Sequence, residues 1–244
     1  MIQQQANVSS GMSHKKELLT SIYRVYSRWV ERFPLACQKG CAACCTQSVT
    51  MTSLEGEIIL DFFKERGRDN RLAETLAQSA SGNNRAVLTT NDYAKACLEH
   101  QDIAEDTLGE WNFAPCVFLR EDACSIYEAR PFGCRSFGSL VRCSDKSGAE
   151  IVPIHLTVNT VFTQIVEHVC SGDGYWGNMT DVLVGLLENE ALDSAGRLLP
   201  AHPIPGFLLE PYEVKPIYVL LKQLCEQSED EQTFSDLIDN FMPI

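Results

Sequence analysis

Cysteines in this chain are grouped rather than scattered. Four of the eleven fall within nine residues, in the pattern Cys37-x3-Cys41-x2-Cys44-Cys45. Four more follow at intervals of eight to ten positions: Cys116, Cys124, Cys134 and Cys143. A thiolate is a soft ligand for zinc, copper(I) and iron–sulfur clusters. The grouping therefore predicts that metal ligation is the main chemistry of this chain.

The spacing fits two kinds of metal centre. A zinc site takes four ligands, and Cys41-x2-Cys44 is a close pair that could share one ion. An iron–sulfur cluster also takes four thiolates, commonly three close together and one remote. Cys37, Cys41 and Cys44 fit that arrangement, with one of Cys116, Cys124 or Cys134 as the fourth. We prefer the iron–sulfur interpretation, because more than four ligands are on offer, and keep zinc as the alternative.

The roles of two cysteines stay open from the sequence. Cys45 directly follows Cys44, and neighbouring side chains tend to point apart, so Cys45 serves a second metal or is a thiol that binds none. Cys143 is the last of the series, and two sites of four ligands would use all eight cysteines. Cys97, Cys170 and Cys225 each stand alone in a helical pattern and are expected to be small buried apolar residues.

Composition narrows the class of protein. The chain has 244 residues, 45% of them apolar and 22% charged, as in an ordinary globular protein. Its 33 acidic and 20 basic residues give a net charge of −13, and no basic run suggests binding to nucleic acid. No stretch approaches the roughly 18 apolar residues of a membrane span, and the N-terminus lacks the features of a signal peptide. We therefore expect a cytoplasmic protein, whose thiols stay reduced and available for metal.

Apolar periodicity predicts a mainly α fold, in which a helical domain carries irregular cysteine-rich loops around a metal site. Residues 1–12 are expected to be disordered, 13–150 to form the cysteine-cluster domain, and 151–244 to be a helical region packed on it. Ser13 is the expected N-cap of the first helix, and residues 111–150 are expected to be irregular. Helices are predicted at 13–33, from Thr52 or Ser53 to 63, 69–80, 91–108, 154–170, 179–191, 211–226 and 231–241, with a linker at 81–84 and a loop at 172–177.

Four sequence blocks, in order, resemble a known family. They are Cys37-x3-Cys41-x2-Cys44-Cys45, Pro115-Cys116-Val117-Phe118-Leu119, Cys124-Ser125-Ile126-Tyr127, and Glu128-Ala129-Arg130-Pro131-Phe132-Gly133-Cys134-Arg135. The pattern resembles the YkgJ-like cysteine-cluster family, which is associated with zinc or iron chelation and is similar in motif to the flagellin lysine N-methylases. The resemblance covers roughly residues 35–140. The first spacing is x3 here, where the family has x2.

The resemblance implies a set of site residues. The ligands it implies are Cys37, Cys41, Cys44, Cys45, Cys116, Cys124 and Cys134, and it draws in Tyr127, Arg130, Pro131 and Arg135 around them. Four thiolates on one Zn²⁺ leave a charge of about −2, so Arg130 and Arg135 could donate hydrogen bonds to the sulfurs. The alternative is that the two arginines pair with Glu121 or Glu128. Pro131 is expected to fix the turn before Cys134.

Two other function classes compete with a metal-binding protein. The first is an enzyme, because Cys37-x3-Cys41-x2-Cys44 has the spacing found in enzymes that cleave S-adenosylmethionine with an iron–sulfur cluster, and the flagellin methylases suggest a methyltransferase. The second is thiol redox chemistry at Cys41 and Cys44. Metal ions are the expected partners, and a protein partner or substrate stays open. The sequence identifies no catalytic residue.

Overall fold

The computed structural model describes residues 2–37, 39–77, 87–103, 113–143, 148–188 and 197–227. Over these residues the fold is mainly α, as the sequence predicts. The α-helices are α1 (Ile2–Val30), α2 (Ser53–Glu65), α3 (Asp69–Ala77), α4 (Thr90–Leu98), α5 (Phe132–Arg135), α6 (Pro153–Cys170), α7 (Met179–Glu188) and α8 (Pro211–Gln227). The strands are β1 (Thr50–Thr52), β2 (Leu119–Arg120), β3 (Ala123–Cys124), β4 (Tyr175–Asn178) and β5 (Leu199–Pro200), and Tyr127–Ala129 forms a 3₁₀ turn.

Helix α1 is the longest element and buries one apolar stripe. Leu19, Ile22 and Tyr26 recur at three- and four-residue steps and lie in a core shared with α6 and α8. The predicted start at Ser13 is wrong, because the helix already begins at Ile2. Its first turns are rich in glutamine, and glutamine and alanine have good helix propensity, so the helix extends beyond its apolar stripe.

A capping box begins α2. Thr52 is the N-cap, its hydroxyl accepts a hydrogen bond from the Glu55 backbone N–H, and the Glu55 carboxylate accepts one from the Thr52 N–H. The sequence predicts that this helix begins at Thr52 or Ser53, which agrees with the observed start. The box is visible in the sequence as Thr52-x-x-Glu55.

The Glu55 carboxylate also connects three separate elements. Glu55 is only 2% exposed. Its carboxylate accepts hydrogen bonds from the Thr52 N–H (2.8 Å) and the Thr52 hydroxyl (3.1 Å). It also accepts hydrogen bonds from the Tyr23 hydroxyl on α1 (2.7 Å) and from the Phe132 N–H at the start of α5 (2.6 Å). These bonds replace the water that the buried carboxylate has lost. They fix α1, α2 and α5 relative to one another.

Two hydrophobic cores lie on either side of this junction. The first joins α1, α6 and α8, and includes Phe132 of α5. The second joins α2, α3 and α7 to the β2–β3 hairpin, with Ile59, Phe118 and Val182 among its buried side chains. Each core draws side chains from both sides of residue 150.

Two small antiparallel sheets accompany the helices. Strand β4 is the centre of the sheet β1-β4-β5, with Met51 opposite Gly177 and Trp176 opposite Leu199. Strands β2 and β3 form a hairpin. The loop predicted at 172–177 is therefore wrong over residues 175–177. The glycines around Trp176 conceal a four-residue strand whose partners are distant in sequence.

Helix α4 is shorter than its predicted range. It ends at Leu98, and His100 follows in the left-handed conformation (φ 53°). The N–H of Gln101 then donates to the carbonyl of Ala96, which closes the helix end. Residues 104–108 of the predicted helix, the predicted linker at 81–84 and the predicted helix at 231–241 lie outside the described residues. The irregular character expected of 111–150 holds, since no described element there exceeds four residues.

Within the described ranges, no helix is both long enough and apolar enough to cross a bilayer.

The Glu55 junction predicts a large effect from a small chemical change. Glu55→Gln keeps the size of the side chain but turns one acceptor oxygen into an NH₂ group that faces N–H and O–H donors. We expect a loss of about 2 kcal/mol in the free energy of unfolding, because hydrogen bonds to a buried charge are lost. Urea unfolding of the metal-free protein measures this loss.

Glu57→Gln is the matched control, because the Glu57 carboxylate is partly exposed and its contact with Lys16 is long, at 3.8 Å. We expect this control to change stability by at most about 0.5 kcal/mol. Equal losses in the two variants would contradict the role assigned to Glu55.

Candidate metal centre

Cysteines from separate parts of the chain meet at one cavity of about 220 Å³. Seven of the eight grouped cysteines line it: Cys37, Cys41, Cys44, Cys45, Cys116, Cys124 and Cys134. Tyr127, Arg130 and Arg135 line it as well. All of these thiols are free of disulfide bonds. The structure therefore brings together most of the residues that the sequence assigned to a metal site.

The first cysteine segment follows the end of α1. Gly40 has φ 95°, which allows the chain to turn between Cys37 and Cys41. The backbone N–H of Ala36 donates to the carbonyl of Ser139 at 2.7 Å. This hydrogen bond holds the start of the segment against the residues that lead to Cys143.

Backbone pairing attaches the second cysteine segment to the first. Thr46 and Pro115 form an antiparallel bridge, flanked by hydrogen bonds from the Cys116 N–H to the Cys45 carbonyl and from the Gln47 N–H to the Ala114 carbonyl, each 2.9 Å. Cys45 and Cys116 are therefore neighbours across a short two-stranded pairing.

The β2–β3 hairpin returns the chain to this place. Leu119 pairs with Cys124, and the turn residues Glu121 and Asp122 both have positive φ, as a type I′ turn requires. The N–H of Leu119 donates to the carbonyl of Cys116, so the chain turns between them. This double reversal brings Cys116 close to Cys124, whose charge acts to raise the pKa of Cys116.

Helix α5 places Cys134. Pro131 stands in extended backbone just before the helix. A Cβ atom on Gly133 would lie 3.0 Å from the carbonyl oxygen of Thr50 in β1, tighter than ordinary van der Waals contact. Glycine therefore lets α5 lie against the strand, and Cys134 follows directly.

Backbone amides face several of the sulfurs. Burial raises the pKa of Cys116, while hydrogen bonds from the N–H groups of Phe118 and Leu119 act in the opposite direction. Burial likewise raises the pKa of Cys124, opposed by the N–H of Ile126. Hydrogen bonds of this kind favour the thiolate, which is the form that binds metal.

Cys44 and Cys45 form a thiol pair. A hydrogen bond with Cys45 is the largest of the influences that raise the pKa of Cys44, followed by burial. The same hydrogen bond is the largest influence on Cys45 and lowers its pKa. The Cys44 thiol therefore donates to the sulfur of Cys45.

The other thiols are crowded as well. Burial raises the pKa of Cys134 most strongly, and the nearby Cys116 and Cys124 raise it further by charge repulsion. A bound cation would reverse this repulsion, because each thiolate would then face a positive charge. In their donor chemistry these residues fit a thiophilic metal.

The described side chains do not form a closed coordination shell. Across the ranges that the structure describes, no three His, Cys, Asp or Glu side chains are grouped so that they could hold one metal ion. The cysteines share a cavity, and holding one ion would require their side chains to approach one another.

Arg130 stands between an aromatic ring and the thiols. Its guanidinium lies 3.6 Å from the centre of the Tyr127 ring, and its Nε donates to the Tyr127 carbonyl at 3.0 Å. Burial raises the pKa of Cys124 and Cys134, whereas the charge of Arg130 acts in the opposite direction. The cation therefore favours the thiolate form of cysteines on two different elements.

Arg135 holds the backbone around α5. Its Nε donates to the carbonyl of Arg130 (2.7 Å), and its Nη2 donates to the carbonyl of Glu128 (2.6 Å). The Glu128 carboxylate pairs instead with Arg66, at 2.8 Å. The predicted alternative, an ion pair of Arg130 or Arg135 with Glu128, is therefore wrong for this carboxylate.

The three solitary cysteines do not line the cavity. Cys170 and Cys225 are buried in the first core, as the sequence predicts. Cys97 on α4 is only partly buried.

The cavity also has apolar walls that the sequence did not reveal. Val30 and Leu35 lie on one side, Met179 comes from the start of α7, and Phe137, which is 53% exposed, stands beside the thiols. These are ordinary apolar residues at unrelated positions, so no spacing marks them in the sequence.

Cys143 does not line the cavity, but its charge reaches Cys37 and raises the pKa of that thiol, after the larger effect of burial.

The described fold gives no support to S-adenosylmethionine cleavage. In enzymes of that class the cysteine motif follows a strand of a barrel. Here the first cysteine segment follows helix α1, and the described strands pair only in antiparallel fashion. The dithiol interpretation of Cys41 and Cys44 likewise lacks a βαβ setting, and the Cys44 thiol is hydrogen-bonded to Cys45.

Comparison with known proteins identifies a family. The model of the CxxCxxCC domain, described as a "putative zinc- or iron-chelating domain", matches residues 36–171. That range is more than half of the chain, and it extends past the expected 35–140 to include Cys143 and α6. Searches of curated proteins and of solved structures gave no match. The chain therefore belongs to the CxxCxxCC family of cysteine-cluster proteins associated with zinc or iron chelation.

Proposed function

We propose that this protein uses its cysteine cavity to hold an iron–sulfur cluster, with zinc as the alternative metal. One observation carries the proposal: seven cysteines from separate segments line a single cavity. Chance burial of thiols would not gather them in one place, whereas a shared metal requires it. The proposed ligands are drawn from Cys37, Cys41, Cys44, Cys45, Cys116, Cys124, Cys134 and Cys143, and the metal would serve a structural, storage, sensing or carrier role.

The number of thiols favours iron–sulfur over a single zinc ion. A structural zinc site closes four ligands tightly around one ion. Here seven thiols surround a cavity of about 220 Å³, which offers more donors and more space than one ion uses. An iron–sulfur cluster is larger and commonly combines clustered with remote cysteines.

The surroundings of the sulfurs supply charge compensation. Thiolates gathered in one cavity of a protein with a net charge of −13 need nearby positive charge and hydrogen-bond donors. Arg130 provides the charge, and the N–H groups of Phe118, Leu119 and Ile126 provide donors to Cys116 and Cys124. Hydrogen bonds to sulfur tune both metal affinity and the reduction potential of a cluster.

Metal binding would act mainly on the first cysteine segment. The β2–β3 hairpin and α5 are held by strand pairing and by the Glu55 junction, so Cys116, Cys124 and Cys134 have defined positions. The segment from Cys37 to Cys45 contains a turn at Gly40 and an exposed Cys44. We infer that this segment closes over the metal.

Replacing a cysteine of the first segment should remove metal. We expect Cys41→Ser and Cys44→Ser each to lower the metal content of the anaerobically purified protein by at least half, because a serine hydroxyl is a poor ligand for a soft metal. Elemental analysis of the purified variants measures this content.

Cys225→Ser is the control, since Cys225 is buried in the core away from the cavity, and its metal content should match that of the unmutated protein. Full metal occupancy in both Cys41→Ser and Cys44→Ser would remove the basis for the ligand assignment.

Removing the charge of Arg130 should weaken metal binding without removing a ligand. We expect Arg130→Gln to lower the affinity about tenfold, the usual effect of losing a group that supports the ligands. Competition with a chelator measures this change. Arg68→Gln, at an exposed position after α2, is the control and should keep the original affinity. If the two variants bind metal equally well, Arg130 does not compensate the thiolates.

A further inference from the structure

Resting on the proposed function, we propose that the eight cysteines form two four-thiol sets, each of which binds its own metal centre. The first set is Cys37, Cys41, Cys44 and Cys143. The second set is Cys45, Cys116, Cys124 and Cys134. The proposal assigns Cys143 and Cys45, whose roles the sequence leaves open.

The first set is built around Cys37. Charge on Cys41, Cys44 or Cys143 acts to raise the pKa of the Cys37 thiol, so these three residues lie near it. Cys143 comes from a different segment, which backbone contacts fasten in place. The Ala36 N–H donates to the Ser139 carbonyl, and the Ser139 N–H faces the Cys37 sulfur.

The segment that carries Cys143 is itself folded back on Ser139. The Ser139 hydroxyl donates to the Val141 carbonyl at 2.7 Å and accepts a hydrogen bond from the Glu150 N–H at 3.0 Å. The N–H of Leu140 donates to the Glu150 carbonyl at 2.8 Å. Ser139 is 1% exposed, so a buried residue makes these hydrogen bonds. Cys143 lies four residues after Ser139, and its charge acts on Cys37.

The second set is built around Cys45. Cys116, Cys134 and Cys124 lie near Cys45, because charge on each of them acts to raise the pKa of the Cys45 thiol. Three independent contacts place them there: the Cys116 N–H bonds to the Cys45 carbonyl, the hairpin pairs Cys124 with Leu119, and α5 rests on β1 through Gly133. Cys134 in turn lies within charge range of Cys116 and Cys124, and Cys44 of the first set has a smaller effect on it.

The boundary between the sets passes through the Cys44–Cys45 peptide. The Cys44 and Cys45 thiols are hydrogen-bonded to each other, but they have different further neighbours: Cys44 acts on Cys37, whereas Cys116, Cys134 and Cys124 act on Cys45. Assigning Cys44 to one set and Cys45 to the other uses both. Each set then has four thiolates, the number that a structural zinc or an iron–sulfur cluster takes. The hydrogen bond between the two thiols in the metal-free chain would be replaced by bonds to two metals.

A titration with Co²⁺ tests the division. Metal-free, reduced full-length protein is titrated anaerobically with Co²⁺, which binds tetrahedral thiolate sites and gives a thiolate-to-cobalt absorption. The variants are Cys143→Ser from the first set, Cys124→Ser from the second, their combination, and the double variant Cys41→Ser/Cys143→Ser within the first set. Cys97→Ser is the control outside both sets, and circular dichroism confirms that each variant retains its helical fold.

We expect two equivalents of Co²⁺ for the unmutated chain and for the control. Each single variant should bind one equivalent, and so should the double variant within the first set. The combination across the sets should bind none. Should Cys124→Ser lose its fold, Cys116→Ser replaces it as the second-set variant.

Three outcomes would overturn the division: two equivalents bound by Cys143→Ser, loss of both equivalents in a single variant, or loss of both in the double variant within the first set. These outcomes would leave metal binding itself intact. No uptake of Co²⁺ by the unmutated chain would also overturn the division, whereas the proposed function is overturned only if the chain takes up neither zinc nor iron with sulfide.

Discussion

The carboxylate of Glu55 is the contact on which the arrangement of the cysteines depends. It is buried, and hydrogen bonds from Thr52, Tyr23 and Phe132 hold it. The same side chain therefore begins α2, fastens α1 and sets the start of α5, two residues before Cys134. Because a buried carboxylate tolerates little loss of hydrogen bonding, this junction has one arrangement. The hairpin and the Thr46–Pro115 bridge then complete the surroundings of the cavity.

Opposing electrostatic influences act on the pKa values of the thiols in the cavity. Burial and mutual repulsion raise the pKa of Cys134, and the same two influences act on Cys37, yet amide groups and Arg130 pull in the direction of thiolates. Cysteines that served only as small buried residues would not require these N–H donors or the Arg130 cation beside them. In the proposed function a metal would relieve this opposition, because it would supply the positive charge that thiolates need.

Much of this could be predicted from the sequence. The spacing of the cysteines gave the cavity-lining thiols, and the apolar periodicity gave most helices, because both signals are local. Strand β4 was missed since its partners are distant and glycines surround Trp176. The start of α2 at Thr52 or Ser53 could be predicted, because the capping box is visible in the sequence as Thr52-x-x-Glu55. Phe137 and Met179 carry no pattern, so only the fold brings them to the cavity. The role of Ser139 in holding Cys143 near Cys37 is likewise a tertiary contact without a sequence signature.

The most direct test of the account is the metal content and visible absorption spectrum of the protein, purified anaerobically without a metal-binding tag. The account predicts stoichiometric bound metal: a brown protein with iron and acid-labile sulfide for the preferred iron–sulfur centre, or a colourless protein with zinc for the alternative. A protein that holds no metal, and that takes up neither iron with sulfide nor zinc when these are supplied under reducing conditions, would contradict the account.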